Sequence, residues 1–411
     1  MATGALVRAV MVAVAGVVIC AAVPMQVAAA TSALPSTTMS QQPARPSVAG
    51  TPLVQAERES RQLGGNAIQS GWNDLAQQYE GFVPVDDNWV QAFLPGGDVH
   101  ARSFAQGLLR FLLTSLWSNA RLLGAIFVLV VLVAILESVQ AAFASEFVGK
   151  VAFLAVNLAL IALAAASFRS AASYAGGAID QMNAVMYGSL PVVLALIAAS
   201  GGISSAAVFH PLIVFAVDSV GLAVKTLILP LIFLSAALYI VSSLTDRYQV
   251  TELAKLLQTI TVTALGGMLT VFLGVMTVEG SLSAVADGVT MRSAKFVTGN
   301  LIPIVGKALS DATEMVAGAS LLLKNATGIA GAVLLLAICA FPAIKILALA
   351  LAYSGSAALL QPLGDTPAIA AVAAVGRSLV LVFAALAAVG LMFFFSLVIA
   401  ISATNMTAFV R

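Results

Sequence analysis

The sequence predicts an all-α, polytopic integral membrane helix bundle. Three observations carry that reading. Only 9% of the 411 residues are charged, against about 25% in soluble domains. The mean hydropathy is +1.03. The apolar residues are gathered in runs near the ~20 residues that a membrane-crossing helix needs. The net charge of +1 gives none of the clustered basic character that nucleic acid binding requires. Of the two cysteines, Cys20 lies in the leader and Cys339 in an apolar run, so no disulfide is expected.

Residues 1–30 read as a cleaved signal peptide: Arg8 supplies a positive start, Ala9–Ala22 an apolar stretch too short to span, and Gln26–Ala30 a small-residue exit. Residues 31–56, rich in Ser, Thr, Pro and Gln, read as a flexible linker. Residues 57–119 form a small extracytoplasmic helical region. Its first part, Glu57–His100, holds too few apolar residues for its own core and is expected to rest on the membrane or on a partner. Its last part, Ser103–Asn119, places Phe104, Leu108, Phe111 and Leu112 on one face, with Arg110 and Trp117 suited to headgroups, and predicts an interfacial helix.

Residues 120–411 form the transmembrane domain. About seven spans are expected: Leu122–Ala142, Val151–Phe168, Leu190–Val224, Thr226–Leu244, Thr259–Val278, Thr327–Tyr353 and Ser378–Ile401. Leu190–Val224 is too long for one simple crossing. Gly201, Gly202, His210 and Pro211 within it predict a broken or re-entrant helix. Between the fifth and sixth spans lies an amphipathic charged insert, 286–325. Val305, Leu309, Ala312, Val316, Ala319 and Leu323 make an apolar stripe there, and Lys307, Asp311 and Glu314 fall on another face. With Arg292 and Lys295 they form a candidate channel or partner face. The bland alternative is an interfacial helix that keeps its charges wet.

Charges inside apolar spans cost about 2.5–3.5 kcal/mol each and are functional candidates for that reason. Glu137, Asp218, Lys225 and Lys345 qualify. Asp218 and Lys225 share a helical face and could compensate each other. Lys345, three residues after Pro342, either packs inside the bundle or faces a water-filled path.

Enzymatic readings lack residues. With only His100 and His210, no two-histidine metalloprotease helix can form. The stretch Gly202-Ile203-Ser204-Ser205 resembles an intramembrane serine-protease motif, but the activating histidine must come from another helix. No Gly-rich phosphate loop ending in Lys-Ser/Thr is present. No catalytic, metal or cofactor-binding residue is expected.

Four stretches, Ala195–Pro211, Ser281–Glu314, Ala319–Gly331 and Phe341–Leu347, closely resemble the stage III sporulation protein AE family, and the likeness runs from roughly Gln78 to the C-terminus. It includes polar positions such as Asp287, Arg292, Lys295, Asn300 and Asp311, not only oily runs. The resemblance implies a multi-pass subunit of the transenvelope channel linking mother cell and forespore, in the mother-cell membrane around the forespore and needed for late forespore gene expression. It implies as partners the other membrane proteins of the same sporulation cluster, a separate ATPase and a forespore membrane protein, in an oligomer or complex within the lipid bilayer. It implies no nucleic acid and no catalytic residue. The alternative is a secondary transporter for a small solute, with Lys345 and Asp218 as pathway charges.

Overall fold

A computed structural model of the chain describes residues 66–83, 101–142, 146–244, 250–301, 306–363 and 366–409, all helix, turn or coil with no strand among them. The expected signal peptide, the linker and residues 57–65 lie outside the described residues. The helices are α1 (Asn66–Gln78), α2 (Ala101–Ser118), α3 (Ala120–Ala142), α4 (Glu146–Ala199), α5 (Ile203–Ala223), α6 (Leu229–Leu244), α7 (Thr251–Leu301), α8 (Gly306–Leu360) and α9 (Pro367–Phe409). Long helices follow from the composition. In hydrocarbon every backbone N–H and C=O must be satisfied within its own segment, which an apolar helix achieves.

Among the described residues, five helical stretches are long and apolar enough to cross a membrane: Leu158–Ala199, Ile203–Ser242, Thr251–Thr290, Thr327–Leu360 and Pro367–Ser402. They become six if α2 and α3, bent by 42° at their junction, make one span. The expected seven are thus not confirmed among the described residues. Two pairs of expected neighbours are continuous rods. Val151–Phe168 runs on through the polar-flecked Arg169–Gly188 and the start of Leu190–Val224 as α4. The rest of Leu190–Val224 joins Thr226–Leu244 through α5, a π turn at Val224–Ile228 and α6. The π turn precedes Pro230, whose ring and missing N–H disfavour an ordinary α turn there.

The most buried pair is α8 and α9, which close as an antiparallel zipper. A methyl added to Gly328 would lie 1.9 Å from Ile401 Cδ1, and one on Gly331 3.1 Å from Leu397 Cδ2. A methyl on Gly390 would lie 2.5 Å from Cys339 Sγ, and one on Gly376 2.5 Å from the Ser354 hydroxyl oxygen. Small residues at these crossings let two backbones approach, which is how helices gain dispersion energy in lipid, where apolar burial alone drives nothing. Against this hairpin pack α4, α6 and α7.

Three further expectations are corrected. The described part of the N-terminal region packs on the bundle of its own chain. Ile68, Trp72 and Leu75 of α1, and Tyr79 in the turn that follows it, are all buried, with α1 packed on α4 and α8. The insert 286–325 is not a separate helix: Ala286–Leu301 is the end of α7 and Gly306–Asn325 the start of α8, while Val305 lies outside the described residues. His210 and Pro211 break nothing. Both are exposed inside the continuous α5, because a helix-interior proline at an open surface can lose one backbone bond and bend slightly.

Candidate functional site: a capped helix break and a caged lysine

The break expected at Gly201 and Gly202 is present, and its geometry is specific. Gly201 takes φ +97°, a left-handed conformation that glycine adopts without a Cβ penalty. Its N–H bonds Ala198 O at 3.0 Å, and that of Gly202 bonds Ile197 O at 2.9 Å. Together they make a Schellman close to α4. The chain then reverses and α5 begins at Ile203 with Gly202 as its N-cap residue, which has no side chain to cap with.

The cap comes from a different helix. The carboxylate of Asp287 on α7, only 1% exposed, accepts the N–H of Ser204 at 2.7 Å and of Ser205 at 3.1 Å. It also accepts the Ser205 hydroxyl. A buried charge is tolerable only when its lone pairs are used, and a helix N-terminus supplies donors and positive potential together. One residue therefore satisfies the start of α5 and ties α7 to it. Sequence reasoning placed Asp287 in the charged insert and among the residues of the family likeness without seeing its role. The signal was available: a Gly-Gly break with no acidic or hydroxyl residue at the N-cap position must borrow a cap.

Asp218 and Lys225 do not compensate each other. Each finds its partner on α4: Lys225 pairs with Asp180 and Asp218 accepts the Tyr187 hydroxyl. Between them Gly221 packs on Asn183, whose Nδ2 lies 3.0 Å from where a Cβ would be. Asp180, Asn183 and Tyr187 thus face Lys225, Gly221 and Asp218 in antiparallel register. In the sequence Asp180 sits in a polar-flecked stretch and gives no sign of this pairing.

Lys345 is packed inside an aromatic cage. Its ammonium lies 5.3 Å from the Tyr79 ring centre, 5.9 Å from Phe111 and 5.3 Å from Tyr174, contributed by the turn after α1, by α2 and by α4. It pairs with no carboxylate among the described residues. The cage continues through Phe341, stacked on Tyr79 at 4.2 Å and edge-on to Phe111 at 5.1 Å. Burial, and secondarily the Tyr174 phenol, push Tyr79 up to about 12. Two turns further along α8, the Tyr353 hydroxyl donates to Leu163 O at 3.1 Å and accepts the Ser167 hydroxyl at 2.8 Å.

The other candidates are spread along the chain. Glu137 lies in α3, Arg292 and Lys295 near the end of α7, and Lys307, Asp311 and Glu314 in the first turns of α8. Among the described residues no group of three or more His, Cys, Asp and Glu could hold a metal ion.

The stage III sporulation protein AE family model matches residues 87–404. Stage III sporulation protein AE of Bacillus subtilis (strain 168) is 44% identical over 358 residues, covering 87% of this chain and 90% of that protein. No solved structure matches. With the family model spanning the region that carries the Gly-Gly break, its Asp287 cap and the caged lysine, the chain belongs to the stage III sporulation protein AE family.

Proposed function

We propose that the chain is a membrane subunit of the sporulation-specific transenvelope channel, or feeding tube, between mother cell and forespore, needed for late forespore gene expression. On this reading it sits in the mother-cell membrane around the forespore. It works there as part of an oligomer or complex with the other membrane proteins of its sporulation cluster, a separate ATPase and a forespore membrane partner. It acts by forming or gating a path, not by making or breaking bonds. The observation that carries the reading is family membership joined to the Asp287-capped break, a rigid hairpin turn built into apolar helices. Such discontinuous helices are used in membranes where backbone and polar groups meet inside protein or a water-filled cavity.

The solute-transporter reading asks Lys345 and Asp218 to share a pathway. Lys345 is enclosed by three rings and Asp218 is bonded to Tyr187 on the α4–α5 face, which favours packing roles. Reconstitution separates the two. Release of a trapped small dye only when the chain is combined with its cluster partners is expected for a channel subunit. Uptake of a solute by the purified chain alone, abolished by Lys345→Ala, would contradict the proposal.

A further inference from the structure

At one level of the bundle, two different sides carry opposite chemistry. The level is fixed by contacts. Asp287 of α7 meets Ser204 at the start of α5, and Gln258 of α7 bonds Tyr239 on α6 at 3.4 Å. Midway between these contacts, α7 residues 271–278 stand beside residues 218–225 of the α5–α6 rod. The Asp180–Lys225 and Tyr187–Asp218 pairs extend the level to α4. Val185 lies between those α4 residues. A methyl on Gly71 of α1 would be 3.2 Å from Val185 and 2.8 Å from Leu334, so the middle of α1 occupies the same level.

On the α7 side this level is mostly apolar, the exposed Thr277 returning its hydroxyl to Leu273 O. Val271, Val275 and Val278 are 66%, 44% and 58% exposed, a surface suited to lipid. On the α1–α4–α5 side it is polar. The outer face of α1 shows Asn73, Asp74 and Gln77, and Asp180 is 68% exposed. Gly177 of α4 opens onto empty space and Ala184 is exposed. Each ionised group turned to hydrocarbon at a helix centre costs about 2.5–3.5 kcal/mol, and although Gln69 Nε2 donates to Asn73 Oδ1 at 3.0 Å, the remaining outward amide groups of α1 would go without water there. α7 packs on α5, α6, α8 and α9, and α1 on α4 and α8; among the described residues α7 makes no substantial contact with α1 or α4, so the two faces are separate although both helices touch α8. On α5 the polar strip is narrow: the exposed Phe215 and Leu222 flank Asp218 at i−3 and i+4, so apolar surface resumes directly beside it.

We infer that the α1–α4–α5 face is a water-exposed wall at the depth where α7 meets lipid, so that the bundle is lipid-facing on one side and lines an aqueous cleft on the other. The wall belongs to this chain alone and stands whether or not the assembled complex conducts. α1 is then needed to keep the wall polar: without it, the apolar side chains of α8 that it covers would be bare.

The test uses the full chain, carrying Cys20→Ser and Cys339→Ala, in liposomes of phosphatidylcholine and phosphatidylglycerol, with single cysteines at Gln77, Ala184, Val271 and Val278. The probe is a membrane-impermeant trimethylammonium thiosulfonate present on both sides. A thiol in hydrocarbon stays protonated and unreactive. Gln77→Cys and Ala184→Cys should therefore react at least about tenfold faster than Val271→Cys and Val278→Cys. Equal, slow reaction at all four would overturn the proposal, and so would equal, fast reaction, since no side would then face lipid. Ala184→Cys is a small change at an open surface, so loss of fold cannot account for its result, and an unchanged gel-filtration profile checks it.

Discussion

Asp287 is the residue on which the described structure leans most. It is buried, ionisable and wholly committed to the first turn of α5. Asp287→Ala leaves buried donors without an acceptor, at about 1–3 kcal/mol for each. Asp287→Asn keeps one acceptor oxygen and loses the charge favoured at a helix N-terminus. Thermal unfolding of the purified chain in detergent should rank wild type above Asp287→Asn and Asp287→Ala lowest; an alanine variant as stable as wild type would remove the capping argument. Tyr79 gives a pH signature. Its folded pKa is raised from 10.0 to about 12, so the folded state holds the proton more tightly than the unfolded one. Its stabilisation is intact below pH 10 and is lost as pH rises through about 12. Tyr79→Phe should flatten that alkaline decline in stability measured by denaturant titration, and an unchanged slope would contradict the assignment.

Between elements, the α8–α9 hairpin is held by close approaches at glycine, the tightest at Gly328, followed by Gly376 and Gly390. Gly390→Ala drives a methyl to 2.5 Å from Cys339 Sγ, an overpacking worth roughly 1–3 kcal/mol. Adding Cys339→Ala should recover part of that loss, and a double-mutant cycle measures the coupling. By contrast Gly266 and Gly267 of α7 have open space around them. Replacing either by alanine should leave the isolated chain at least as stable, since helix propensity rises. These elements also show what sequence can and cannot reveal. Gly201 and Gly202 announced the break, because few residues other than glycine tolerate a left-handed close. Pro211 misled, since proline inside an apolar helix need not end it. The pairing of Asp218 and Lys225 with α4 was hidden, because seven-residue spacing shows that two side chains share a face and not what lies opposite.

For the whole molecule, composition alone marked an all-helical, apolar chain, and the family likeness marked sporulation. The number of spans was not legible. Polar flecks such as Arg169 and Asp180 interrupt hydropathy and read as a helical segment between two spans, yet they lie within one unbroken α4. Nor was the position of α1 legible, since Ile68, Trp72, Leu75 and Tyr79 are too few to form a core and become buried only against α4 and α8. Leu158–Ala199 is 42 residues long, about twice what a ~30 Å hydrocarbon layer needs. A bundle of such helices must present part of its length to water or to other proteins, which is the expected behaviour of one subunit in a larger envelope-crossing assembly. The most direct measurement is passage of a small fluorescent solute from mother cell to engulfed forespore in sporulating cells whose only copy of the gene can be depleted. Transfer should fall to background on depletion and return when the intact chain is restored. Transfer unchanged without the chain would contradict the channel-subunit account.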